Sequence, residues 1–151
     1  MSEERNRQLT VLLVEDDPND ALLVRTVFER AVGTTTLVHF GDGDSAIRYL
    51  AKDPPYDTRD DPPKPTMMLL DIKLPKRSGF DVLSWTRSQS SALRRLPILM
   101  LTSSGQQADI DRAFELGATA YLQKPSRPRA LSEMVTDLKN FWIKWAEVPE
   151  L

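Results

Sequence analysis

Three stretches of the chain are apolar or β-branched throughout and stop at a polar group. Leu9-Thr10-Val11-Leu12-Leu13-Val14 runs into Glu15-Asp16-Asp17, Met67-Met68-Leu69-Leu70 into Asp71, and Pro97-Ile98-Leu99-Met100-Leu101 into Thr102. Short uninterrupted runs of this kind read as strands covered on both faces, as in a parallel sheet. Two weaker segments join them: Thr35 to Phe40, which alternates, and Ala118 to Leu122, which leads into Gln123-Lys124-Pro125.

Between these runs the apolar period lengthens to that of a helix. Asp17 is placed to cap the first helix, with Pro18 at its first position and Asp20 three residues after the cap. Leu23, Val24, Val27, Phe28 and Ala31 follow at helical spacing, and Gly33 closes the element. Asp42 can cap a second helix carrying Ala46, Ile47 and Leu50. Gly79 to Gln89 reads as a third, with Phe80, Leu83 and Trp85 toward the sheet. Gln106 to Leu116 reads as a fourth, with Ile110, Ala113 and Phe114 on one face and Gly117 as its C-cap. Leu131, Met134, Val135, Leu138, Phe141, Trp142 and Trp145 make a long last amphipathic helix. Five strands, each followed by a helix, predict a doubly wound α/β domain over residues 9–145, with tails at 1–8 and 146–151.

One segment breaks this rhythm. Residues 53–65 hold five of the 11 prolines, interspersed with Asp53, Asp57, Asp60 and Asp61. Such a stretch forms neither helix nor interior strand. It reads either as a stiff solvated loop or as an insertion that contacts a partner.

Right-handed crossovers carry the C-terminal ends of all five strands to one edge of the sheet. Glu15, Asp16, Asp71, Thr102 and Lys124 therefore converge. Carboxylates gathered at one place repel; a pair at 4 Å costs about 4 kcal/mol at an effective dielectric near 20. The cluster needs a cation, and oxygen donors without Cys or His favour Mg²⁺ or Mn²⁺ over zinc. A hydroxyl and an ammonium beside them supply the hydrogen bond and positive charge that a phosphoryl group needs. The chemistry inferred is phosphoryl transfer to Asp71, with the cation and Lys124 neutralising oxygens as the bond forms.

Composition narrows the partners. The chain has 151 residues, 40% hydrophobic and 28% charged, with a formal net charge of −2. That balance gives no electrostatic reason to expect nucleic acid or an anionic membrane as the main partner. The absence of cysteine excludes disulfides and thiolate metal sites. Met1 to Gln8 shows no apolar signal region, and no run approaches the ~18 apolar residues of a membrane span, so a cytoplasmic location is expected.

The motifs Val14-Glu15-Asp16-Asp17-Pro18, Asp71-Ile72-Lys73-Leu74-Pro75 with Gly79, Leu101-Thr102-Ser103 and Gln123-Lys124-Pro125 resemble the receiver domain of bacterial response regulators, over roughly Leu9 to Trp145. The resemblance implies a flavodoxin-like (βα)5 sheet of order 2-1-3-4-5. It implies Asp71 as phosphoacceptor, Asp16 as direct Mg²⁺ ligand, Glu15 acting through water, and the backbone carbonyl of Lys73 completing the metal site. Thr102 matches the switch hydroxyl, Tyr121 the aromatic that follows it, and Lys124 the lysine that pairs with the phosphoryl group. The resemblance also implies a cis Lys124–Pro125 bond and rate-tuning roles for Lys73 and Ser104. The function so implied is phosphorylation by a sensor histidine kinase, read out through protein contacts.

The Pro-rich insertion and the ending Phe141-Trp142-Ile143-Lys144-Trp145 further resemble stand-alone regulators paired with phytochrome-type kinases. Phe141, Trp142 and Trp145 are candidates for a homodimer patch. His39 falls mid-strand, away from the strand ends, and nothing marks it as a phosphodonor.

Rival readings fit less well. A haloacid-dehalogenase-type enzyme wants a second Asp two residues after its nucleophile, where this chain has Lys73. No G-x-G-x-x-G opens the first helix for a dinucleotide. A degenerate, non-phosphorylated interaction module is the remaining alternative, and such modules usually lose an acid or the lysine.

Overall fold

In the computed structural model, which describes residues 9–30, 35–57, 64–89 and 92–149, the three uninterrupted apolar runs form the middle of a parallel sheet. They are β1 (Leu9–Val14), β3 (Met67–Leu70) and β4 (Ile98–Thr102); β2 (Thr35–Phe40) and β5 (Ala120–Gln123) lie at the edges. The order is β2-β1-β3-β4-β5, that of the flavodoxin-like fold. Every residue of the three inner strands is buried, whereas β2 is half-buried throughout. The difference explains the sequence pattern: a strand covered on both faces has no polar side to alternate with.

Because successive side chains point to opposite faces, each inner strand feeds two cores. Leu12, Val14, Met68, Leu70, Ile98 and Met100 pack with α2 (Gly43–Ala51), α3 (Gly79–Ser88) and Ala113 of α4 (Gln107–Glu115). Their neighbours Val11, Leu13, Met67, Leu69, Leu99 and Leu101 pack with α1 (Pro18–Glu29) and α5 (Pro128–Lys144).

Helix starts follow their capping residues. The Asp17 carboxylate accepts from the amides of Asn19 and Asp20, and Asp42 accepts from that of Ser45. Ser78 and Asp81 form a reciprocal capping box at α3. The first helix ends at Glu29, with Arg30 as its C-cap; Ala31 and Gly33, expected to continue and close it, lie outside the described residues. A short 3-10 turn, Ala92–Arg95, was not expected from the sequence. Arg87 fastens α3 to this region by donating to the carbonyls of Leu96 (2.7 Å), Gly117 (2.8 Å) and Arg94 (3.0 Å).

Three apolar expectations are corrected. Phe114 is 51% exposed; its neighbour Ala113 is the residue by which α4 approaches the core. Trp142 is buried, not part of an exposed patch, because residues 131, 135 and 142 share the face of α5 that carries the core. Ala146 is buried with them and Val148 packs on the same core, so the packed domain runs past Trp145 into the expected tail.

The Pro-rich segment is tethered on both sides. Tyr56 meets Phe40 and Tyr49 in a cluster of three rings with centroids 5.3 to 5.6 Å apart, and Pro65 is buried. Residues 58–63 lie outside the described part.

Two glycines hold the loop after β3. A Cβ on Gly79 would overlap the carbonyl of Asp71, and one on Gly43 would overlap that of Arg77. The Gly79 amide donates to Ile72 (2.8 Å) and the Gly43 amide to Pro75 (3.3 Å). The loop is thus pinned from α3 on one side and α2 on the other.

Candidate functional site

The register of the sheet builds the site. Val14 pairs with Leu70, Leu70 with Met100 and Thr102 with Gln123, so the residues that follow each strand emerge side by side. The ladder continues one step further, as Asp71 N–H donates to Val14 (3.1 Å) and Lys124 N–H to Thr102 (2.7 Å). Glu15, Asp71, Thr102 and Lys124 are all buried at this edge, while Asp16 is exposed.

At the centre is the Lys124 ammonium. Its Nζ donates to Glu15 Oε2 (2.7 Å), Asp20 Oδ2 (3.0 Å) and Asp71 Oδ2 (3.1 Å). An ammonium carries three protons, so all its donors are engaged by carboxylates. The free oxygens are also held: Asp71 Oδ1 accepts from the Ile72 amide (2.7 Å) and Glu15 Oε1 from the Asp17 amide (3.0 Å).

Electrostatics follow from this crowding. Burial pushes the Glu15 carboxyl up to about 7, the charge of Asp71 adding to the shift and Lys124 opposing it. Burial alone would lower the Lys124 pKa. The hydrogen bond to Glu15 and the charges of Asp71 and Glu15 outweigh it, holding the ammonium firmly protonated.

Glu15, Asp16 and Asp71 each bring a carboxylate oxygen within 4.8 Å of the others. The set fits a divalent cation: the donors are all oxygen, and one buried lysine is the sole cation touching Glu15 and Asp71 in the described ion pairs. Lys73 follows on the exposed part of the loop.

The two expected switch residues lie on β4 and β5, the strands beyond β3 in the sheet. Thr102 is buried at the end of β4. Tyr121, half-buried in β5, donates its hydroxyl to the Ser104 carbonyl at 2.8 Å, and burial raises its pKa. The Ser104 hydroxyl in turn donates to Asp109 of α4 and accepts from the Gln106 amide. The Ser104 and Tyr121 positions are therefore one hydrogen-bonded unit across the β4–α4 loop.

Some placements differ from expectation. The Lys124–Pro125 bond is trans, and Pro54–Pro55 is the cis bond among the described residues. The cis expectation rested on resemblance alone, and an X-Pro amide prefers trans by about 0.5–1 kcal/mol unless its surroundings impose the other isomer. His39 is the penultimate residue of β2, not mid-strand, and its Nε2–H donates to the Glu15 carbonyl at 2.7 Å.

The sequence alone makes Asp20 an acid of the capped first turn, yet its side chain reaches Lys124. The available signal was its position in the first turn of α1, directly after the strand-end acids. Of the proposed dimer residues, Phe141 and Trp145 are 54% and 76% exposed. Trp142 instead sits in the core with its indole N–H buried and unpartnered.

Comparison with known proteins places this arrangement in context. The family model for the response regulator receiver domain matches residues 11–136. The response regulator Rcp1 of Synechocystis sp. is 33% identical over 149 residues, covering 99% of each chain. The crystal structure of the phosphorylated cyanobacterial phytochrome response regulator RcpA superposes with a TM-score of 0.88 at 28% identity, covering 95% of this chain and 100% of that one. The Mn²⁺-bound form of Rcp1 superposes with a TM-score of 0.87 at 31% identity, covering 94% and 99%. No helix among the described residues is long and apolar enough to cross a membrane.

Proposed function

The chain belongs to the response regulator receiver domain family, and from that premise we propose that it is a stand-alone phosphorylation switch whose acceptor is Asp71. The observation that carries the reading is the Lys124 ammonium held between Asp71 and Glu15 at the C-terminal edge of the sheet. A carboxylate oxygen of Asp71 supplies the electron pair for the new P–O bond. The bond from phosphorus to the donor's leaving atom breaks, and its electron pair departs with the leaving group. Lys124 lies where it can neutralise a phosphoryl oxygen during this exchange. Glu15, Asp16, Asp71 and the Lys73 carbonyl would hold Mg²⁺ or Mn²⁺, which when bound supplies charge neutralisation at the other phosphoryl oxygens. Mn²⁺ in the related Rcp1 supports that assignment.

Thr102 and Tyr121 are the residues proposed to report the new group. Tyr121 is bonded to the backbone of Ser104, so a rearrangement at Thr102 two residues earlier passes directly to the β4–α4 loop. The likeness to Rcp1 and RcpA supports a phytochrome-type sensor histidine kinase as donor. Retention of Glu15, Asp16, Asp71, Thr102 and Lys124 together weighs against a module that has kept only the receiver shape.

Incubation with acetyl phosphate and Mg²⁺ is expected to add one phosphoryl group, read by intact mass. Borohydride reduction should then mark residue 71 alone. An adduct at any other residue, or one formed equally well in chelator, would overturn the assignment.

For assembly, we propose that the exposed Phe141 of α5 and the exposed Trp145 just past its end contact a second copy. The double variant Phe141→Glu/Trp145→Glu should sediment as a monomer under conditions where the wild type is dimeric. A wild type that is monomeric throughout would remove the proposal.

A further inference from the structure

We propose that Asp20 is a positioning residue for phosphoryl transfer: it holds the Lys124 ammonium in its resting place and is the partner that gives way when a phosphoryl group arrives. This rests on Asp71 being the acceptor. The argument begins with valence. Lys124 Nζ has three protons, and three carboxylates already accept from it. An incoming phosphoryl oxygen can gain a hydrogen bond from this ammonium only if one carboxylate releases it.

The three are not equally placed to do so. The side chains of Glu15 and Asp71 are 3% and 9% exposed, and both approach from strand ends fixed by the sheet ladder. Releasing the ammonium would leave either one buried away from water and dependent on a bound cation alone. Asp20 stands on the first turn of α1, with a side chain 31% exposed, and water can take over its hydrogen bond. It also lines an open polar cleft of about 540 Å³ with Ser103, Gln123, Lys124, Pro125 and Ser126. The Asp20 carboxylate therefore stands at the mouth through which the ammonium is reached from solvent, opposing an anionic donor by its charge and competing for the lysine by its hydrogen bond.

Asp20→Asn removes the charge and weakens the hold while keeping the side-chain shape. Its phosphorylation rate with acetyl phosphate should rise about five-fold, the factor associated with a part-exposed ion pair. The gain should be smaller with phosphoramidate, which carries less negative charge, and should shrink at high salt. Asp20→Glu should return toward the wild-type rate. Thermal melts of both variants check that the fold is kept.

A merely structural role for Asp20 would move both donors equally and be insensitive to salt. That pattern overturns the proposal, as does a rate within two-fold of wild type. Failure of the wild type itself to form an adduct at Asp71 would instead refute the acceptor assignment, so the two failures are separate.

Discussion

Asn in place of Asp71 will leave the protein without a phosphoryl adduct under conditions that label the wild type to completion. The amide keeps the size and shape of the side chain, and its one oxygen can accept from either the Ile72 amide or the Lys124 ammonium, which in the wild type bond different carboxylate oxygens, so the fold is kept with one of these bonds lost. What it loses is the negatively charged oxygen that attacks phosphorus. The same substitution takes one ligand from the Glu15, Asp16 and Asp71 set. In the wild type, a cation at a hundred times its dissociation constant stabilises the fold by about 2.7 kcal/mol. In Asp71→Asn, melting temperatures with and without Mg²⁺ should nearly coincide at the same concentration. A residual adduct, or an undiminished metal shift, would show that another carboxylate is the acceptor or the main ligand.

The second large effect belongs to Lys124. Its replacement by Met keeps the apolar stem but leaves the buried Glu15 and Asp71 without their shared cation. Stranding buried charges in this way costs roughly 3–5 kcal/mol. In chelator, the urea midpoint of Lys124→Met should fall accordingly. Mg²⁺ should recover much of the loss, because a divalent ion at the carboxylate cluster replaces the missing positive charge. Equal destabilisation with and without the metal would mean that the lysine acts through packing rather than charge. Phosphoryl incorporation should remain slow even where the metal restores the fold, since neutralisation on the Lys124 side of the phosphoryl group is not replaced.

The site was legible in the sequence wherever backbone topology alone decides position. A polar residue at the end of a buried apolar run has one place to go in a parallel sheet, and Glu15, Asp71, Thr102 and Lys124 went there. Side-chain direction on helices was harder. Seven large apolar residues on the last helix cannot all face one core; Trp142 shares the face of Leu131 and Val135, while Phe141 and Trp145 fall on the next. The reach of Asp20 was hidden because an acid at the third helical position has a sufficient local explanation in capping, and only a lysine 104 residues away reveals the other. The expected strand, Thr35 to Phe40, has the bounds observed and makes His39 its fifth of six residues, so the mid-strand placement overlooked how close its side chain lies to the strand end and the Glu15 carbonyl. The isomer of Lys124–Pro125 was inferred from likeness and not from any local constraint.

The loop that follows the acceptor has a bearing on how such a protein can diverge. Gly43 and Gly79 meet opposite sides of this loop with no space for a methyl group, so mutation at either position is blocked by the backbone of residues 71 and 77. Between those two clamps, Lys73, Pro75, Lys76 and Arg77 face solvent. Selection can therefore exchange side chains beside the proposed phosphorylation site while the frame that aims Asp71 stays fixed. A lineage could vary the chemistry presented at these outward positions one substitution at a time while the backbone beneath them keeps its course.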